Sequence, residues 1–188
     1  MMEALPLFGS ANDRAYSRNR ITNQTRHTTT SPQDAAPLAG VLPFARAKRE
    51  AAMRRITMVV LAVLTFFLAL TAFAGGAGLV LGFNVPPTEY LSGSPFGGYL
   101  LPGLALFVFV GGSALYAGIL AARRSSLALL FSTVSGIVIM FFEFIEVETI
   151  GAPAGPARAL QYFYFLLGTV ITIVALSAWY GDLRSAKK

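Results

Sequence analysis

The sequence predicts an all-α polytopic membrane protein, a four-transmembrane-helix bundle preceded by a disordered, basic N-terminal tail. Three observations carry this. Hydrophobic residues make up 55% of the 188 and charged residues only 13%, whereas a soluble domain is about 25% charged. Four apolar runs, uncharged or nearly so, reach the length of about 20 helical residues that a hydrocarbon core of about 30 Å requires. None of them shows the alternating segments of about 10 residues that build a membrane barrel.

The tail comes first. The stretch 12–33 carries Arg14, Arg18, Arg20 and Arg26 beside a Thr28–Thr29–Thr30 run, without apolar periodicity. Such a segment cannot bury enough apolar surface to offset its ordering entropy, so residues 1–50 are expected to form a disordered cytoplasmic tail. Phe44–Arg55 reads as a short basic helix leading into the membrane. Its Arg46, Lys48, Arg49, Arg54 and Arg55 would sit near anionic lipid headgroups, which attract such residues by about 1 kcal/mol each.

The transmembrane domain is expected over 51–184, with 185–188 as a cytoplasmic end. Helix one is placed at 56–83, helix two at 99–122, helix three at 127–147 and helix four at 159–180. In lipid, helices associate through close backbone approach at small residues spaced four apart. Gly78 and Gly82, then Ala114, Gly118 and Ala122, then Ser132 and Gly136, then Gly168 and Thr172 supply that spacing. Gly75–Gly76 is a bend or tilt point within helix one. A second reading of this region stays open. Met53–Arg54–Arg55, the following apolar run and Ala72–Phe73–Ala74 also fit a secretory signal peptide, with translation starting at Met53 or cleavage after Ala74. The run continues to Phe83, which is long for such a segment.

Orientation follows from the basic residues. Of the fifteen, nine precede helix one, Arg123 and Arg124 lie between helices two and three, and Arg184, Lys187 and Lys188 end the chain. Only Arg158 lies on the other side. The positive-inside rule therefore places both termini in the cytoplasm of a multi-pass protein of the bacterial inner membrane. The net charge of +6 reads as a topology determinant. Nucleic acid is not an expected partner, because the tail arginines are dispersed and lack interleaved aromatics.

Chemistry is narrowed by absences. There is no cysteine, and the single histidine, His27, lies in the polar tail. Disulfides, thiol nucleophiles, cysteine or histidine metal sites and histidine-ligated haem are therefore not expected; no catalytic residue, cofactor or metal site is assigned. An ionisable side chain inside a membrane helix, by contrast, is costly and points to function by default. Glu143 and Glu146 are three apart on helix three and share a face, where two carboxylates could hold a cation or share a proton. The plainer alternative is a bilayer boundary near Glu146, with Arg158 as a partner across the short loop. Glu143 lies deepest, and Gln161, Tyr162 or Tyr164 of helix four is its expected partner.

The loop 84–99, rich in turn formers, is expected to lie flat at the interface, with Tyr90, Phe96 and Tyr99 in an aromatic belt. Pro102–Gly103 suggests an irregularity just inside helix two. Tyr162–Phe165 and Trp179–Tyr180 read as belts at the two ends of helix four.

Gly93–Ser94–Pro95–Phe96, then Tyr99, then Pro102–Gly103–Leu104 resembles an outer-loop signature of small uncharacterised bacterial four-helix integral membrane proteins. The similarity continues at Glu146, Ile150–Gly151, Leu160–Gln161 and Tyr164–Phe165, and spans residues 56–182. Members often carry an acidic residue where this chain has Gly98. The resemblance implies topology rather than a reaction, and a polar contact between Glu146 and Gln161. The leading functional expectation is a non-enzymatic accessory or scaffold subunit of a larger membrane complex or a homo-oligomer. The alternative is a small ion or proton-coupled transporter using Glu143 and Glu146.

Overall fold

The computed structural model of the protein describes residues 36–83, 85–151 and 155–186, with helices and turns but no strand among them. Four helices follow one another: α1 (Ala36–Leu81), α2 (Leu100–Ala122), α3 (Ala128–Ile150) and α4 (Pro156–Ala186). A single 3-10 turn, Thr88–Leu91, lies in the α1–α2 loop. All four helices contain spans long and apolar enough to cross a membrane. The chain divides after Lys48 into two units. In the first, the described residues 36–48 are helical; the second, Arg49–Lys188, holds the bundle. Of the tail expected over 1–50, residues 1–35 lie outside the described residues.

Each boundary has a local cause. Helix is found already over 36–43, which the sequence assigns to a disordered tail, and it continues through the basic helix read at Phe44–Arg55; from Ala45 to Ala52 the composition is alanine with arginine, lysine and one glutamate, all strong helix formers. At its other end α1 stops at Leu81. Gly82 takes φ +75° and the Phe83 N–H donates to the Gly78 carbonyl at 2.8 Å, the Schellman cap that only a residue free to adopt positive φ permits without strain. The Gly78/Gly82 pair is thus a helix stop rather than a crossing.

α2 ends in the same cap with a less suited residue. Arg124 has φ 52°, its N–H reaches the Ala121 carbonyl at 3.0 Å, and Ser125 N–H reaches Leu120 at 2.9 Å. α3 runs past the expected Val147 to Ile150, because the stop is Gly151 (φ 75°, ψ −170°), whose N–H donates to the Val147 carbonyl at 2.9 Å. That backbone region is essentially closed to other residues. α4 begins at Pro156, where proline suits the first helical position, and continues beyond Tyr180 through Gly181 and Asp182.

α2 holds the least expected feature. Pro102 and Gly103 sit within its regular first segment, Leu100–Ala105, while Leu106–Gly111 is a π-helix followed by regular helix from Gly112 to Ala122. Proline is tolerated at Pro102 because first-turn N–H groups have no helical acceptor.

Packing relies on glycine. A Cβ on Gly136 would lie 2.6 Å from the Gly168 carbonyl oxygen, and one on Gly168 would lie 2.7 Å from that of Gly136, so α3 and α4 touch backbone to backbone. α1 and α2 do the same at Gly76 and Gly103, where the corresponding distances are 2.7 and 3.0 Å. Phe73 and Phe66 of α1 lie over Gly111 and Gly118 of α2. The interior around these crossings is apolar, with Met58, Leu61, Leu68, Val110, Ile139 and Ile171 almost fully buried. Ala72, inside the alternative cleavage sequence, is buried within this core. Thr65 and Thr133 are buried too, each returning its hydroxyl to a carbonyl of its own helix, at 2.7 and 2.9 Å. At the end of the bundle away from the loops, Arg54 of α1 pairs with Asp182 of α4 at 3.6 Å, both about half exposed.

Candidate functional site

The site lies at the loop end of the bundle, where α1 presents small residues. Thr71, Gly75 and Gly78 recur at helical spacing and leave a hollow that the other helices do not fill. This cavity, about 460 Å³, is walled by Thr71, Gly75 and Gly78 of α1, by Glu143 and Glu146 of α3, and by Gln161 and Tyr164 of α4. By helical rise Glu143 lies about 10 Å inside the end of α3.

Gln161 organises the polar wall. It is only 5% exposed, and its Nε2 donates to Glu146 Oε1 at 3.2 Å and to the Gly151 carbonyl at 3.2 Å. One side chain of α4 therefore ties down both the acidic face of α3 and the turn that ends it. Positive φ at Gly151 aims that carbonyl at Gln161. The remaining acceptors are open: Gln161 Oε1 and Glu143 Oε2 are buried and have no hydrogen-bond partner. Glu143, also 5% exposed, does not share the Gln161 amide, which is committed to Glu146 and Gly151. Most buried side-chain polar atoms are paired; the Ser132 and Ser135 hydroxyls of α3 are two further exceptions, and an ionisable group inside a span is the costlier kind. The two residues that carry these unpaired acceptors both line the cavity.

The other predicted site residues divide between this cavity and its surroundings. Tyr162 is 70% exposed and points away from the bundle, so it is no partner for Glu143; Tyr164 does reach the wall. Tyr99 is not a belt residue. It is buried, and its hydroxyl donates to the Pro87 carbonyl at 3.0 Å, fastening the α1–α2 loop. Burial pushes the Tyr99 phenol above its usual pKa, and Glu146 acts in the same direction, so the hydroxyl stays a donor. Ser94 accepts the Phe96 N–H at 3.2 Å in the turn before α2. At the opposite end of α4 the Arg184 guanidinium lies 4.5 Å from the Tyr180 ring centroid and donates to its hydroxyl at 2.8 Å.

A second hollow adjoins the first. This cleft, about 650 Å³, is lined by Phe96, Tyr99 and Pro102 from the loop and start of α2, by Val108 and Phe109 of the π-helix, and by Phe142 of α3. Leu79, Pro86 and Glu146 belong to both walls. Of the outer-loop signature, Phe96, Tyr99 and Pro102 line the cleft, while Gly103 is the crossing with Gly76. Thr71 and Gly75 are four apart, with Gly78 three further on, and that spacing alone reads as a packing face rather than as the wall of a hollow. A search for small residues facing the depth of Glu143 would have found it.

No group of three or more histidine, cysteine, aspartate or glutamate side chains occurs among the described residues that could hold a metal ion. No protein-family model matches the sequence, and comparison with curated proteins and with solved structures gives no match.

Proposed function

We propose that the protein is a non-enzymatic membrane carrier that binds a proton or small monovalent cation at Glu143. One observation carries this reading: a buried carboxylate, lacking a partner for Oε2, on the wall of a cavity it shares with Glu146 and Gln161. A helix built only for packing has no use for such a group, since an unpaired polar atom in a span is a standing cost. Glu146, held by Gln161, provides a second carboxylate at the same wall. The accessory-subunit reading is placed second here because the face of α3 toward this seam is hollow and acidic.

Location belongs to the same proposal. Fourteen of fifteen basic residues lie on the side of the termini and the Arg123–Arg124 turn, which supports a bacterial inner-membrane protein with cytoplasmic termini. Arg46, Lys48, Arg49, Arg54 and Arg55 would then face the anionic leaflet.

Flux into proteoliposomes, followed with a trapped pH-sensitive dye and with cation tracers, tests the reading. Wild type is expected to carry protons or cations above empty vesicles. Glu143→Gln should abolish the flux, Glu143→Asp should retain part of it, and Gly78→Leu should block it by filling the cavity. Flux in Glu143→Gln equal to wild type, or wild type equal to empty vesicles, overturns the proposal. A stoichiometric companion after purification in mild detergent would support the accessory-subunit role instead.

A further inference from the structure

We infer that the cargo of this site is an amphiphilic ammonium: a protonated amine held at Glu143 and Gln161, with an apolar body lying in the adjoining cleft. The inference rests on the cation-binding reading above and names its substrate class.

The chemistry of the open atoms comes first. Glu143 Oε2 and Gln161 Oε1 are both acceptors, both buried and both without partners, and the two residues that carry them line one cavity. A matching ligand must bring donors, and an ammonium group carries three N–H donors on one positive charge. The carboxylate offsets the cost of removing that charge from water, which an unpaired cation in this setting would bear in full.

Size and shape come second. A volume of about 460 Å³ exceeds what a single dehydrated ion occupies and falls within the range of about 300–1,000 Å³ typical of organic-ligand sites. The neighbouring cleft is apolar, with Phe96, Phe109 and Phe142 on its wall, and meets the polar cavity along Leu79, Pro86 and Glu146. With only Leu79, Pro86 and Glu146 between the two hollows, a ligand whose charge sits at the acidic wall has the aromatic rings next to it for its hydrocarbon. Leu104, Val108 and Phe109 at the cleft are strongly exposed on the lipid-facing side of α2, so an amphiphile dissolved in the bilayer reaches the cleft without crossing water. The charge balance agrees: the loop end carries Glu89, Glu143, Glu146 and Glu148 against Arg158.

Two sources share this chemistry, a free lipophilic amine and the ethanolamine headgroup of a membrane lipid. Calorimetric titration of the full-length protein in phosphatidylcholine nanodiscs, with empty discs subtracted, tests the class. Decylammonium and its N,N,N-trimethyl analogue are the probes. We expect the trimethyl analogue, which has no N–H, to bind at least about tenfold more weakly, since hydrogen bonds to charged groups contribute about 1.5–3 kcal/mol. Glu143→Gln should weaken decylammonium by at least about tenfold, as loss of one partner of a buried charge pair does. Leu104→Trp and Phe109→Ala, at bilayer-facing positions of the cleft, should each weaken decylammonium while leaving both carboxylates in place.

Equal binding of the two probes, or affinity untouched by both cleft variants, overturns the inference. Glu143-dependent ion flux without binding of decylammonium overturns it alone, and the carrier reading stands. Binding of decylammonium without any flux overturns the carrier reading and supports the ligand class. Repeating the titration with phosphatidylethanolamine in the discs identifies the source. Competition supports the lipid headgroup, and unchanged affinity supports a free amine; both outcomes support an ammonium ligand.

Discussion

At Glu143 the proposed function and the stability of the fold pull against each other at a single atom. Its Oε2 is buried without a donor, and replacing the carboxyl group by an amide keeps its shape while removing an ionisable group from the span. Glu143→Gln should therefore raise the unfolding midpoint in detergent even as flux is lost, the trade-off found where a site is held in an unfavourable state for use. A lowered midpoint would show that the carboxylate is structurally paired. Arg124 shows a similar tension. It occupies the left-handed cap position of α2, where a non-glycine residue costs roughly 1–2 kcal/mol. Arg124→Gly should stabilise the fold by about 1 kcal/mol, measured by denaturant titration.

At the scale of elements, the glycines separate into crossings and open positions. Alanine at Gly136 or Gly168 drives a methyl into the opposite backbone, and such overpacking costs about 1–3 kcal/mol. Alanine at Gly78, where the nearest atom to a new Cβ is 3.6 Å away, should be neutral or slightly stabilising, since mid-helix glycine costs about 0.5–1 kcal/mol relative to alanine. Thermal unfolding of the three variants checks the contrast; an equal loss at Gly78 would place a helix contact there. Sequence spacing alone does not make this distinction. A four-residue interval shows that two small residues share a face, but not whether that face meets a helix, a cavity or a turn. Gly78 and Gly82 meet the last two.

The spans themselves were legible because lipid demands long uncharged runs. Their ends were less so, because a helix continues past the hydrocarbon wherever caps and propensity allow. This is why α4 runs on to Ala186 and α1 is already helical at Ala36. The π-helix gave no signal, since Leu106–Gly111 is composed of residues equally at home in regular helix. Glu143 and Glu146 were legible as exceptions to the apolar pattern. Their division of labour was not, because it depends on which of them Gln161 reaches from α4.

For the whole molecule, the absence of cysteine makes orientation directly measurable. Single cysteines at Ser92, in the α1–α2 loop, and Ser126, in the α2–α3 turn, occupy exposed positions at opposite ends. In intact cells an impermeant maleimide should label Ser92→Cys at once and Ser126→Cys only after permeabilisation. The reverse pattern would invert the topology.

The two glycine crossings also have a mechanical consequence. Gly76–Gly103 locks α1 to α2 and Gly136–Gly168 locks α3 to α4, while the polar cavity is bounded by members of both pairs. Neither seam has room for a side chain, so any change in the volume around Glu143 that spares both must fall between the two pairs rather than within either.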